Sequence, residues 1–278
     1  MRQIFHIFDE TLPTTLSSGE KHDLCLWTIE ELTGWSRTEV LLRRDVVLDE
    51  SLHLSARHIA VRLAAGEPIQ YIFGRTDFMG RSLLTRRGVL IPRPETAELV
   101  MWILDDYDHT PRSVMDMGTG SGCIALSLKG ERPMWDVRAV DVSDDAIALA
   151  RQNASRLDLP IMVEKADVFT MKPQPDRLDI LVSNPPYVLL SERAAMEPNV
   201  LQHEPESALF VPDDEPLVYY SALARYGRVA LRSGGALYVE INRQKGQDVC
   251  QLLTDHGYSD VTLRQDMQHN DRMVRAIK

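Results

Sequence analysis

From Ser113 to the carboxyl terminus, short runs of β-branched and aliphatic residues alternate with stretches of helical periodicity. Val114-Met115, Val137–Val140, Ile161–Val163, Leu178–Val182 and Ala236–Val239 read as buried strands. Cys123–Leu128, the segment that Ser143 caps, Leu217–Leu231 and Gln247–Leu253 read as helices. Strand–helix alternation leaves few topologies open, because parallel neighbours need long, right-handed crossovers. The pattern predicts an α/β fold with a mostly parallel sheet. Val261–Leu263 and Met273–Ile277, joined by a short loop, predict an antiparallel edge.

Open α/β sheets bind ligands beyond the carboxyl ends of their strands, so the residues after each strand matter most. Asp116-Met117-Gly118-Thr119-Gly120-Ser121-Gly122 follows the first strand and opens a helix. Its glycines let backbone N–H groups approach a ligand closely. The spacing is neither that of a dinucleotide loop nor that of a P-loop. Asp116 would repel a diphosphate and attract an ammonium group. Asp141 ends the second strand about 20 residues further on, where a carboxylate accepts from ribose hydroxyls, with Val142 beside it. Asp167 follows the third strand and can accept from an adenine amino group, with Val168 or Phe169 against the ring. A lone aspartate at such a place is usually a cap or turn residue. Three at successive strand ends, with the glycine loop, point to S-adenosylmethionine.

The fourth strand stops at Ser183-Asn184-Pro185-Pro186-Tyr187. Neither proline has an N–H, so neither continues a ladder. A Pro-Pro turn can merely end a strand. This one also offers the Asn184 amide, bare carbonyls and the Tyr187 ring, a set suited to holding a flat –NH2 group still.

The first seventy residues read as helices, with capping boxes at Ser17/Glu20 and Ser36/Glu39 and a third helix near Ser51–Ala65, forming either a stabilising appendage or a substrate-docking module. A hairpin is expected around Met79-Gly80, bridging two domains. Arg93, Glu95 and Thr96 are either helix-start residues or a lid. Cys25, Cys123 and Cys250 are widely separated and no metal-ligand spacing occurs, which disfavours disulfides and a metal site. The formal net charge of −10 favours a protein or small-molecule substrate over naked nucleic acid. No apolar run is long enough for a bilayer and the amino terminus lacks a secretory pattern, so a cytoplasmic location is expected.

The glycine loop, Asp141 and Asn184–Tyr187 resemble class I amino-methyltransferases. Pro68–Gly74, Gly88–Thr96, Asn199–Leu201 with Glu204-Pro205, Ala208–Phe210, Glu240–Asn242 and Asp271-Arg272 narrow this to a resemblance to the PrmC/HemK family. That resemblance implies a Rossmann-like, seven-stranded methyltransferase domain over 93–278 and a helical, substrate-docking domain over 1–72. A hairpin linker over 73–92 would join them. It further implies methylation of the Gly-Gly-Gln glutamine of peptide chain release factors; a monomer with no stable nucleic acid partner and no membrane association is expected. Asn184, Pro185, Pro186 and Tyr187 would be catalytic and would hold the substrate, together with Phe78. Asp116, Gly118, Thr119, Gly120, Ser121, Gly122, Asp141, Val142, Asp167, Val168 and Asn184 would bind the cofactor. Two competing readings are an adenine methyltransferase, which would need a flipped base and a basic track, and a binding module without turnover.

Overall fold

A computed structural model describes all 278 residues. The chain forms two compact units, Met1–Gly74 with Glu197–His203, and Arg75–Met196 with Glu204–Lys278.

The helical unit contains Arg2–Thr11, Ser18–Thr33, Arg37–Leu42, Glu50–Ala64 and Ile69–Phe73. Both expected capping boxes form. Ser17 accepts from Glu20 N and Ser36 from Glu39 N, and each glutamate accepts in return from its serine's backbone N–H. The first helix has no side-chain cap. It is held instead by burying Ile4, Ile7 and Phe8 among Cys25, Ile29, Ala56 and Ala60, the usual source of helix stability in proteins. The short helix Pro198–His203, remote in sequence, also belongs to this unit.

The second unit opens on a hairpin, β1 (Arg75–Phe78) and β2 (Arg81–Leu84). Met79 and Gly80 both have positive φ, the turn geometry that matches strand twist. The hairpin is part of this unit and not a free bridge. Phe78 and Leu83 join its core, and Asn153 accepts from Leu84 N and donates to Leu84 O. The boundary therefore falls at Gly74/Arg75 and not across 73–92.

Seven further strands form the main sheet: β3 (Ser113–Met117), β4 (Asp136–Asp141), β5 (Met162–Lys165), β6 (Leu178–Ser183), β9 (Leu231–Glu240), β10 (Ser259–Gln265) and β11 (Asp271–Ile277). Between β6 and β9, β7 (Val188–Leu189) and β8 (Phe210–Val211) pair separately. The sheet order is β10-β11-β9-β6-β3-β4-β5. β9, β6, β3, β4 and β5 are parallel, while β11 lies antiparallel between β9 and β10. The chain runs outward from β3 to β5 and then returns to β6 on the other side of β3. That reversal leaves a crevice at the carboxyl ends of β3 and β6.

The helix expected over Leu217–Leu231 spans Val218–Ala230, and β9 takes Leu231 and runs on through Gly234 and Gly235. A Cβ on Gly235 would lie 3.0–3.2 Å from backbone oxygens of Arg232, Asp179 and Leu178. Gly235 thus serves close strand approach at a register shift, while Gly234 has open space around it and supplies a φ of +76°. No helix is long and apolar enough to cross a membrane.

Candidate active site

A cavity of about 330 Å³ opens at the carboxyl ends of β3, β4 and β6. The glycine loop forms one wall. Gly118 and Gly120 have φ of +75° and +56°, so the loop turns tightly, and its Gly118 and Thr119 N–H groups donate to Val140 O. A Cβ on Gly118 would meet nothing within 4 Å, so the cavity side of the loop is open backbone. Asp141 stands at the next strand end. Its Oδ2 accepts from Gly120 N and its Oδ1 from Ser143 N, each at 2.9 Å. Val142, Asp167, Val168 and Phe169 continue the wall, and the Phe169 ring lies 5.1 Å from that of Tyr219.

Asn184, Pro185 and Pro186 form the facing wall. Ser183, the last residue of β6, donates to Met117 O at 2.6 Å and ties the two strand ends together. The Asn184 Nδ2 donates to Thr96 Oγ1 at 3.0 Å, and Thr96 donates to Glu240 Oε2 at 2.7 Å. Tyr187 donates to the other oxygen, Glu240 Oε1, at 3.0 Å. Thr96 and Glu240 are 2% and 1% exposed, so the relay is dry. Burial pushes the Tyr187 phenol above its ordinary range, keeping it a donor, and burial likewise raises Glu240.

Two further strips close the cavity. Arg93 pairs with Glu204 at 2.6 Å, and Glu204 Oε2 also accepts from Ile91 N. The Glu204 side chain is 1% exposed. The pair joins the Pro92-Arg93 strip to the Pro205–Ala208 strip, both on the cavity wall. Arg93, just before the helix Pro94–Asp106, and Glu95 and Thr96 in its first turn are all helix-start residues, and Arg93 and Thr96 also line the cavity while Glu95 does not.

Several residues expected at the ligand are elsewhere. Asp116 is fully buried behind the glycine loop. Its Oδ2 accepts from Thr119 Oγ1 at 2.6 Å and Ala125 N at 3.2 Å, so it fastens the loop and the following helix start and does not face an ammonium group. Gly122, at φ +85°, packs helix on helix. A Cβ there would lie 3.1 Å from Leu126 Cδ1 and 3.3 Å from Ala150 Cβ. Tyr187 lies behind Asn184, on Glu240, and does not line the cavity. Phe78, 4% exposed, is in the core with Leu83 and Leu99. By contrast Gly118, Thr119, Gly120, Ser121, Asp141, Val142, Asp167, Val168, Asn184, Pro185 and Pro186 all meet at the cavity. Glu240, Glu204 and Tyr219 were not among the expected site residues. Glu240 carried a usable signal, since it is a carboxylate ending a strand, as Asp141 is.

Two expectations follow for stability. Burial pushes the Asp116 carboxyl up to about 7, from an ordinary 3.8, and its Oδ1 has no hydrogen-bond partner. The native state then holds this proton more tightly than the unfolded chain, so this group's contribution falls as pH rises between those values. Asp116→Asn keeps an acceptor for Thr119 and Ala125 and cannot ionise. Urea midpoints taken at both ends of that window should show a smaller decline with pH for the variant. Parallel wild-type and variant curves would refute the assignment. Gly122→Ala should cost roughly 1–3 kcal/mol from overpacking and positive φ, readable in the same urea titration.

Residues 16–74 match the PrmC N-terminal domain and residues 95–203 the methyltransferase small domain. A release factor glutamine methyltransferase of Bacteroides thetaiotaomicron is 43% identical over 247 residues, 88% of each chain. One of Flavobacterium psychrophilum is 35% identical, covering 97% of this chain and 96% of its own. The crystal structure of a Pyrococcus furiosus methyltransferase superposes with a TM-score of 0.54 at 15% identity, over 72% of this chain and 90% of that one, and supports the fold.

Proposed function

The chain belongs to the release factor glutamine methyltransferase family, and from that membership we propose the reaction and the residues that carry it. It transfers a methyl group from S-adenosylmethionine to the side-chain amide nitrogen of the glutamine in the Gly-Gly-Gln motif of a peptide chain release factor. The site fits that cofactor. The open backbone at Gly118 and Gly120 admits a ligand that any side chain would obstruct. Asp141 is already fixed by two backbone N–H groups and keeps further lone pairs for ribose hydroxyls. Asp167 takes the adenine amino group, with Val142, Val168 and Phe169 against the ring. When bound, the cofactor supplies a methyl carbon on a sulfonium, an electrophile that needs no activation by the protein.

The difficulty lies with the nucleophile, because a carboxamide nitrogen shares its lone pair with the carbonyl. Asn184 carries the proposal. Its –NH2 is committed to Thr96, so its Oδ1 remains to accept one N–H of the glutamine amide. The Pro185 carbonyl accepts the other. Together they fix the nitrogen's orientation and favour positive charge developing on it. Pro185 and Pro186 stiffen the turn, and Tyr187 acts through Glu240 behind it. No strong base is needed, since the nitrogen turns acidic as the methyl arrives and releases one of its two hydrogen-bonded protons to water.

The helical unit is assigned to release-factor docking, and the enzyme to the cytoplasm as a monomer without a stable nucleic acid partner. The net charge of −10 supports a protein substrate over duplex DNA. Labelled-methyl transfer to purified release factor, with duplex DNA in parallel, tests the reading. Label on the factor alone is expected. Label on DNA, or cofactor binding with no transfer to any release factor, would replace it.

A further inference from the structure

The Asn184 amide can be turned over by a half-rotation about its last torsion, at little intrinsic cost. In one orientation it offers the cavity an acceptor, and in the other a donor. Only the first can receive a glutamine N–H. Asn184 has nothing of its own that selects between them. Thr96 has, because a hydroxyl carries a single proton. That proton goes to Glu240 Oε2, so Thr96 meets Asn184 with a lone pair and Asn184 must answer with Nδ2. Tyr187 spends its proton on Glu240 Oε1, so both oxygens of the carboxylate are accepting.

We propose that Glu240, which does not line the cavity, is the positioning residue that decides which end of the Asn184 amide faces the substrate. This rests on the reading of Asn184 as acceptor for the glutamine amide. An ionised Glu240 can only accept, and the polarity of the chain Asn184–Thr96–Glu240 is fixed. A protonated Glu240 can donate to Thr96. Thr96 can then donate to Asn184 Oδ1, and the –NH2 swings into the cavity, where it opposes the substrate's own N–H. Burial pushes Glu240 towards that inactive form. The groups facing it are Arg272 on β11, which Asp266 holds at 3.0 Å, Glu95 beside Thr96, Cys123 at its helix start, Tyr187, and Tyr220 on the helix Val218–Ala230. Arg272 is the one cation among them and favours the carboxylate, as the Thr96 and Tyr187 hydrogen bonds do.

The test uses the full-length enzyme with purified release factor and saturating cofactor. Thr96→Val should lower kcat by about tenfold or more, while cofactor affinity by calorimetry stays within about twofold. Thr96→Ser should restore kcat. In the wild type, kcat should fall as pH falls through the raised Glu240 value. Glu240→Gln, whose amide can give or take a hydrogen bond, should lower kcat and lose that acidic limb. A Thr96→Val kcat within about twofold of wild type would overturn the inference. So would an acidic limb kept by Glu240→Gln. If one of these variants does not fold, the other decides. Wild-type enzyme that transfers no methyl to release factor would remove the reading beneath it. Active wild type with an indifferent Thr96→Val removes this inference alone.

Discussion

Asn184→Ala is expected to lower kcat by roughly 10²–10³-fold, the usual effect of deleting one group aimed at developing charge. Alanine leaves the Pro-Pro turn and the cavity wall in place, and Thr96 keeps Glu240 as its acceptor. Binding of the cofactor, measured by calorimetry with the enzyme alone, should change little, because the glycine loop, Asp141 and Asp167 carry it. The split is diagnostic. An interaction made chiefly in the transition state lowers kcat and kcat/KM together. Turnover within about tenfold of wild type would mean that Asn184 does not hold the reacting nitrogen.

Asp141→Ala should act in the opposite way. The carboxylate holds Gly120 N and Ser143 N at 2.9 Å each, so the substitution removes the ribose acceptor and unfastens the loop around it. Hydrogen bonds to a charged group contribute about 1.5–3 kcal/mol each, so a cofactor Kd higher by about 10²-fold is expected. Asp141→Asn keeps one acceptor oxygen and should fall between. At saturating cofactor both variants should recover much of their kcat, since neither touches Asn184 or Thr96. Calorimetry giving an unchanged Kd for Asp141→Ala would contradict the assignment.

Much of this site could be read along the chain because local signals and the fold agree. Prolines after a β-branched run must end a strand, glycines after a strand must turn, and alternating elements must form a parallel sheet. Asp141, Asp167 and Asn184 therefore reached one cavity as expected. The misplaced residues share a cause. Asp116 and Tyr187 sit next to cavity residues in sequence, but their side chains point to the opposite side of the backbone, onto Ala125 and Glu240. A motif names neighbours in sequence and not the direction in which each side chain leaves the backbone. Phe78 failed for another reason, since an aromatic residue on a hairpin has the same composition signal in a lid as in a core.

The relay was hidden because its parts are 88 and 144 residues apart, on the helix Pro94–Asp106, the end of β6 and the end of β9. Each residue has an ordinary local explanation. Thr96 starts a helix and Glu240 ends a strand. Only sheet order, which sets β9 beside β6, makes them one chain of hydrogen bonds. The short helix Pro198–His203 is similar, since nothing local assigns it to the helical unit.

The most direct measurement is tandem mass spectrometry of release factor incubated with this enzyme and cofactor. One added methyl should appear on the Gly-Gly-Gln peptide, with fragment ions locating it on the glutamine side-chain nitrogen, and it should be missing with Asn184→Ala. A methyl found on another residue, or on that glutamine at an undiminished rate with Asn184→Ala, would contradict the proposed role of the strand-end turn.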